Sequence, residues 1–122
     1  MKKILVVDDS RTALMMERDI LERRTKYQCV TAADGQEAVE KAQKEHPDMV
    51  LMDVVMPRLN GFEACKMMRQ QPSTSQIPII LVTTRSEEFY MEAGFQSGCN
   101  DYITKPIDGA ELVALVQSYL GE

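Results

Sequence analysis

Several features are scarce in this chain of 122 residues, and each shortage excludes a class of protein. No run of 18 or more apolar residues occurs, so we expect no transmembrane helix and no membrane insertion. The three cysteines, Cys29, Cys65 and Cys99, are odd in number and widely spaced, which argues against a disulfide framework and a zinc site. Neither G-x-G-x-x-G nor a Walker lysine motif is present, so nucleotide binding has no support.

Positive charge is also in short supply. The formal net charge is -5, which disfavours direct binding to nucleic acid because phosphate backbones need a basic surface. Only four aliphatic residues precede the first two aspartates, too few for a signal peptide, so we expect a cytoplasmic protein. The 44% of apolar and 27% of charged residues are ordinary for a globular protein, and we expect residues 1–122 to form one domain.

The chain does contain four short apolar runs, each followed by a residue that can handle a phosphate or a divalent metal. Such continuous runs suit strands buried on both faces of a parallel sheet, whose carboxyl ends gather at one edge where ligands bind. We therefore expect the polar residues to converge on one pocket. The runs are residues 4–7, followed by Asp8 and Asp9; 49–52, followed by Asp53; 79–82, followed by Thr83; and 102–104, followed by Lys105 and Pro106.

Predicted strands alternate with predicted helices along the whole chain, which indicates an α/β fold. The predicted strands are residues 3–8, 27–32, 48–53, 77–83 and 99–104, and the predicted helices are 10–24, 35–45, 61–70, 86–97 and 108–120. A capping-box spacing marks most helix starts. It pairs Asp34 with Glu37, Asn60 with Glu63 and Asp108 with Glu111, and Thr84 with Glu87 is a further candidate. The apolar face of the first helix comprises Ala13, Leu14, Met16, Ile20 and Leu21.

The residue types in the expected pocket fit phosphoryl chemistry. Two carboxylates about 4 Å apart repel each other by roughly 4 kcal/mol at an effective dielectric constant of 20, and Mg²⁺ removes that cost. Asp8 and Asp9 can alternatively cap the first helix, and Asp53 can be a turn residue. Yet Asp53 ends a buried strand where no helix begins, beside two carboxylates, which makes it a candidate nucleophile for an aspartyl phosphate. Lys105 and Thr83 would then hold phosphoryl oxygens.

Five motifs at matching spacing resemble the receiver domains of bacterial two-component response regulators, of the single-domain type related to the chemotaxis regulator. The motifs are residues 6–10 (VVDDS), 51–57 (LMDVVMP), 60–61 (NG), 82–84 (VTT) and 101–106 (DYITKP). The resemblance covers the whole chain. It implies a flavodoxin-like fold, with a five-stranded parallel sheet in the order 2-1-3-4-5 and five flanking helices in three α/β/α layers.

The resemblance also implies a role for each matching residue. Asp53 would accept a phosphoryl group from a phosphohistidine on a histidine kinase or phosphotransfer protein. Asp9, Asp53 and the Val55 carbonyl would bind Mg²⁺ directly, with Mn²⁺ or Ca²⁺ as substitutes, and Asp8 would bind it through water. The Lys105–Pro106 bond would be cis. Phosphorylation would draw Thr83 inward, and the switch residue Tyr102 would fill the vacated space.

Three positions are expected to tune the lifetime of the phosphoryl group: Val55, Thr84 and Arg85. Thr84 replaces the alanine or glycine usual in the family, and its bulk would narrow access for water. An apolar Val55 cannot orient an attacking water, so we expect slow self-dephosphorylation. Beyond them, Phe89, Tyr90, Met91 and Tyr102 form the expected partner face, within the switch surface of helix 86–97, strand 99–104 and helix 108–120.

Two alternatives to a phosphorylation switch remain. A phosphorylation-independent adaptor would keep only the fold. An aspartate-nucleophile phosphatase would need a second aspartate two residues after the nucleophile, where this chain has Val55. We therefore expect no enzyme activity beyond phosphorylation and dephosphorylation of Asp53 itself. The single histidine, His46, precedes Pro47 in an expected loop, which argues against a built-in phosphodonor. Because the chain ends just after the last predicted helix, we expect output through a downstream protein target.

Overall fold

The computed structural model describes residues 1–121, and within them five parallel strands form one sheet. The strands are β1 (Lys3–Val7), β2 (Gln28–Ala32), β3 (Met49–Asp53), β4 (Ile79–Thr83) and β5 (Asp101–Thr104). Their order across the sheet is β2-β1-β3-β4-β5, and every neighbouring pair is parallel. The predicted strand order and flavodoxin-like fold are therefore confirmed.

Helices cover both faces of the sheet and give three layers. They are α1 (Arg11–Arg24), α2 (Gly35–Glu45), α3 (Gly61–Arg69), α4 (Met91–Ser97) and α5 (Gly109–Leu120), with a 3₁₀ helix (Arg85–Tyr90) before α4. One core cluster packs α1 and α5 against the sheet, and a second packs α2, α3 and α4 against the opposite face. Within residues 1–121, no helix combines the length and apolar character that crossing a membrane requires.

The period of two along β1 shows how the core aims the site residues. Leu5 and Val7 pack in the cluster under α2 and α3, whereas Ile4 and Val6 pack in the cluster under α1 and α5. All four are fully buried. Asp8 comes next in the alternation after Ile4 and Val6, so its side chain leaves the strand end on the side of α1 and α5.

Two expectations about the helices are wrong. The predicted helix 86–97 is not continuous, because the 3₁₀ helix precedes a seven-residue α4. In α1, Met16 is 50% exposed and Glu17 is buried in its place, at 1% exposure. The helical repeat accounts for this change, since Glu17 lies four residues after Ala13 and four before the buried Leu21, on the same face.

The predicted caps mostly form. The Asn60 side chain accepts from Glu63 N–H, and Glu63 accepts from Asn60 N–H, which completes a capping box at α3. Asp34 and Asp108 each accept from the backbone N–H three residues later. At α2, Glu37 accepts from Ala33 N–H instead of from the cap residue.

Candidate functional site

Three carboxylates meet at the carboxyl edge of the sheet. Parallel pairing of Val7 with Met52 places the following Asp8 and Asp53 beside each other. Asp8 is 1% exposed and Asp53 is 8% exposed, whereas Asp9 is open to solvent. One carboxylate oxygen from each of the three lies within 4.8 Å of the others. The convergence expected from the strand ends is therefore present for the three carboxylates, which follow β1 and end β3.

Lys105 is the cation of this cluster. Its Nζ lies 3.2 Å from Asp8 Oδ2 and 3.4 Å from Asp53 Oδ2. Burial alone would lower the pKa of Lys105, but the Asp53 and Asp8 carboxylates outweigh it and raise that pKa. The Lys105–Pro106 bond is cis, as the resemblance implies, and Lys105 N–H donates to Thr83 O at 2.7 Å. The ammonium therefore stays charged and bridges two strand ends.

The electrostatics of Asp53 are dominated by its surroundings. Burial, followed by the Asp8 charge, raises the pKa of Asp53 to about 6, although Lys105 and the Val54 N–H oppose the shift. At neutral pH most of the carboxyl is still ionised, which a nucleophile requires. A cation placed among the three carboxylates would reduce their repulsion further.

A glycine lets the next loop pack directly on Asp53. Gly61 N–H donates to Val54 O at 2.8 Å, and a Cβ at Gly61 would lie 2.5 Å from the Asp53 carbonyl oxygen. No side chain fits at that distance without movement of backbone. The Asn60–Gly61 motif thus fixes the start of α3 against the end of β3.

Thr83 is fully buried, and its hydroxyl faces the 3₁₀ helix. Its Oγ1 lies 3.3 Å from Glu87 Oε1 and 3.2 Å from Thr84 O. Tyr102 is half-buried, and its hydroxyl donates to Glu88 Oε2 at 3.3 Å. Both residues predicted to switch are therefore tied to side chains or backbone of the segment after β4.

The expected partner face is only partly correct. Phe89 is 74% exposed and Tyr90 is 53% exposed, and their ring centroids lie 4.0 Å apart. Met91 is 3% exposed, so its assignment to a partner face is wrong. A helix turns about 100° per residue, and in this segment the third consecutive apolar side chain points into the core. The expected loop position of His46 is correct, because it ends α2 as a left-handed cap.

The positions expected to tune phosphoryl lifetime lie on the segments that follow β3 and β4. Val55 is 59% exposed. Thr84 is half-buried and its hydroxyl lies 3.0 Å from Ser86 Oγ, while Arg85 is exposed. The Val55 side chain thus offers an apolar surface next to the strand end that carries Asp53.

Sequence reasoning missed one residue of this region, Glu17. Both of its carboxyl oxygens are buried and have no hydrogen-bond partner among the residues that the structure describes. Burial, followed by the Asp8 charge, raises the pKa of Glu17 to about 8, with Lys105 acting in the opposite direction. A signal was available, because the i, i+4, i+8 series of Ala13, Glu17 and Leu21 predicts an inward position.

Comparison with known proteins gives this geometry a family. The model of the response regulator receiver domain matches residues 4–117. The chain belongs to that family. Receiver domains of this kind act in two-component signalling, so the resemblance read from the five motifs is confirmed.

Two curated relatives differ in how much of them the chain covers. The transcriptional regulatory protein PhoP of alkaline phosphatase synthesis, from Bacillus subtilis, is 43% identical over 98% of this chain, which spans only 48% of PhoP. Protein PilH of Pseudomonas aeruginosa is 41% identical, and the alignment covers 98% of both chains. The receiver therefore resembles both a part of a longer regulator and the whole of a short one.

Solved structures agree with this fold. Chemotaxis protein CheY4 of Vibrio cholerae has a TM-score of 0.90 at 35% identity, with 98% of both chains covered. The receiver domain of the sensor histidine kinase PA1611 from Pseudomonas aeruginosa has a TM-score of 0.90 at 32% identity, covering 99% of this chain and 98% of that one. That domain holds a magnesium ion in its active site cleft.

Proposed function

We propose that this receiver is a switch controlled by phosphorylation of Asp53. The observation that carries the proposal is the meeting of three carboxylates and one ammonium at the end of β3. The phosphoryl donor would be a phosphohistidine on a histidine kinase or phosphotransfer protein. Asp53 Oδ forms the new P–O bond as the P–N bond breaks, and the imidazole nitrogen keeps the bonding electron pair and then takes up a proton.

The donor set suits Mg²⁺, with Mn²⁺ or Ca²⁺ as substitutes. Hard divalent cations prefer carboxylate and carbonyl oxygens, and the three aspartates offer oxygens within 4.8 Å of one another. In this proposal Asp9, Asp53 and the Val55 carbonyl would hold the ion directly, and Asp8 would hold it through water. When bound, the ion neutralises charge on the transferring phosphoryl group.

The chain's own residues supply the remaining functions. Asp53 is mostly ionised at neutral pH, because its pKa is raised only to about 6, and its carboxylate is buried at the strand end beside Lys105. The Lys105 ammonium lies between Asp8 and Asp53 and would bind a phosphoryl oxygen as a compact positive charge. Thr83 would donate its hydroxyl to another oxygen once it leaves its present partners. In this proposal the protein acts as a signalling component whose chemistry is limited to phosphorylation and dephosphorylation of Asp53 itself.

The output of the switch would be a protein contact in the cytoplasm. The exposed Phe89 and Tyr90 lie on the 3₁₀ helix directly after Thr83 and Thr84, and Tyr102 lies on the adjacent β5. A change at Thr83 can therefore alter the surface that a target protein would recognise. A chemotaxis or motility pathway is one candidate, by likeness to CheY4; regulation through an attached module is another, by likeness to PhoP.

Labelling with acetyl phosphate tests the proposal. We expect Mg²⁺-dependent, acid-labile incorporation of one phosphoryl group into the wild type and none into Asp53→Asn. Asp19→Asn is the matched control, because it removes an exposed carboxylate on α1 that pairs with Arg23. Acid-stable label, or label that persists in Asp53→Asn, contradicts the proposal. A target that binds the wild type and Asp53→Asn equally would instead indicate a phosphorylation-independent adaptor.

A further inference from the structure

The 3₁₀ helix holds both switch residues through adjacent carboxylates. Glu87 Oε1 lies 3.3 Å from the Thr83 hydroxyl and accepts from Thr84 N–H at 2.9 Å. The next residue, Glu88, accepts from the Tyr102 hydroxyl at 3.3 Å. One short segment therefore contacts the end of β4 and the middle of β5 at the same time.

Burial makes the Glu87 contact matter for Thr83. Thr83 is fully buried, so its hydroxyl needs an acceptor within the protein, and it has two within reach, Thr84 O at 3.2 Å and Glu87 Oε1 at 3.3 Å. A hydroxyl has one proton and can donate it to one acceptor at a time. The choice is therefore between acceptors on the 3₁₀ side and a phosphoryl oxygen at Asp53, whose strand partner is Val82, the residue before Thr83.

We propose that Glu87 is a positioning residue that competes with the phosphoryl group for the Thr83 hydroxyl. The inference rests on the proposed function, because it needs a phosphoryl group at Asp53. In the resting state Glu87 retains Thr83 beside the 3₁₀ helix. When a phosphoryl group is present, Thr83 transfers its hydrogen bond to the phosphoryl oxygen and Glu87 loses one of its two donors.

Release of Glu87 also explains how the signal reaches the surface. A 3₁₀ helix has poorer hydrogen-bond geometry than an α-helix, and this one has no buried residue. Loss of the Thr83 contact weakens its attachment to β4, and Glu88 moves with Glu87 because the two are consecutive. The Tyr102 hydroxyl then loses its acceptor, so one event at Asp53 frees both switch residues.

Beryllofluoride, which mimics a phosphoryl group on a carboxylate, measures this competition without covalent chemistry. With Mg²⁺ present, we expect Glu87→Gln to lower the half-saturating beryllofluoride concentration roughly threefold and Glu87→Ala up to about tenfold, the range that one net hydrogen bond gives. Glutamine keeps a neutral acceptor for both donors, so it should lie between the wild type and alanine. Glu92→Gln is the matched control, since it removes the same charge from exposed α4.

The Thr83→Ala background shows whether the gain passes through the hydroxyl. There the Glu87 substitutions should leave beryllofluoride affinity unchanged. NMR of Glu87→Gln without beryllofluoride provides a second measurement. The Thr83 amide signal should shift toward its position in wild-type protein saturated with beryllofluoride. Equal affinity in all Glu87 variants, the same gain with Glu92→Gln, or a gain that persists without the hydroxyl overturns the inference. Wild-type protein that does not bind, or Asp53→Asn that binds equally well, overturns the proposed function and this inference with it.

Discussion

The two halves of the site are held in different ways. On the β1–β3 side, Asp8 and Asp53 are buried at adjacent strand ends, Lys105 contacts both, and the Gly61 backbone packs against Asp53. On the β4–β5 side, Thr83 and Tyr102 are held by side chains of a 3₁₀ helix that has no buried residue. The first half uses backbone and core packing, whereas the second joins the buried Thr83 and the half-buried Tyr102 to carboxylates of a segment that has no buried residue.

This difference fits a division between binding and response. A group that must receive a phosphoryl group in one orientation needs a rigid support, which strand ends and a close glycine provide. A surface that must change needs a local element of low stability, since segments with few buried apolar contacts open first. The 3₁₀ helix and the seven-residue α4 meet that description better than the nine-residue α3.

Substitution of Glu17 has the largest expected effect on the stability of the β1–β3 side. Its pKa of about 8 in the folded state lies above the value of about 4.3 expected when unfolded, so the folded protein holds a proton that the unfolded chain has lost. Stability from this group therefore falls as pH rises from about 4.5 to 8. Glu17→Gln should exceed the wild type by roughly 1 kcal/mol at pH 5 and by roughly 3–5 kcal/mol at pH 9.

Urea unfolding at pH 5, 7 and 9, without divalent metal, measures this difference. Glu22→Gln is the control, because Glu22 is exposed on the same helix and pairs with Arg18. Asp53→Asn removes the smaller effect of the same sign from Asp53, whose pKa is raised to about 6. Parallel stability profiles for the wild type and Glu17→Gln would mean that Glu17 is already ionised in the folded protein.

Gly61 tests the same half through packing. Gly61→Ala places a Cβ 2.5 Å from the Asp53 carbonyl oxygen, so backbone must move, at a cost of roughly 1–3 kcal/mol. Phosphorylation by acetyl phosphate should slow with it. Gly109→Ala is a close match, because Gly109 also begins a helix, but the atoms nearest to a Cβ there belong to the Arg24 guanidinium, the flexible end of a side chain. Urea unfolding should show little change for Gly109→Ala, and equal losses would show that the β3–α3 contact has no special role.

The β1–β3 side of the site was easier to predict from the sequence than the β4–β5 side. Asp8, Asp53 and Lys105 follow strands, and parallel strands bring their ends to one edge whatever the helices do. In the segment 86–97, the contact of Glu87 with Thr84 follows the capping-box spacing seen in the sequence, whereas the contact of Glu88 with Tyr102 joins residues 14 positions apart and no local pattern encodes it. A charged residue is not expected in the core, so the apolar Met16 was assigned to the buried face of α1. The helical spacing of Ala13, Glu17 and Leu21 indicates instead that Glu17 faces inward, as the structure shows.

A substitution at Val55 has an intermediate expected effect, on the lifetime of the phosphoryl group. Val55 is 59% exposed and apolar, so it cannot hold an attacking water near Asp53. Val55→Asn adds a donor and an acceptor there, and we expect decay of the phosphorylated protein to accelerate roughly two- to tenfold, the value of about one hydrogen bond. Met15→Asn on α1, where the side chain is 69% exposed, is the control for a general polar effect. Equal or slower decay in Val55→Asn contradicts the expected role.

Substitution of Tyr102 has the smallest expected effect on stability and tests the β4–β5 side directly. Its hydroxyl donates to the exposed Glu88 at 3.3 Å, a bond for which water can substitute on either side. Tyr102→Phe should therefore change the free energy of unfolding by less than about 0.5 kcal/mol in urea titrations. Tyr119→Phe, which removes a similar hydroxyl near Asn100 O and Asp101, provides the comparison. A loss of unfolding free energy above about 1 kcal/mol for Tyr102→Phe alone would exceed what a solvent-exposed hydrogen bond contributes. It would show that the β4–β5 side is held as firmly as the β1–β3 side.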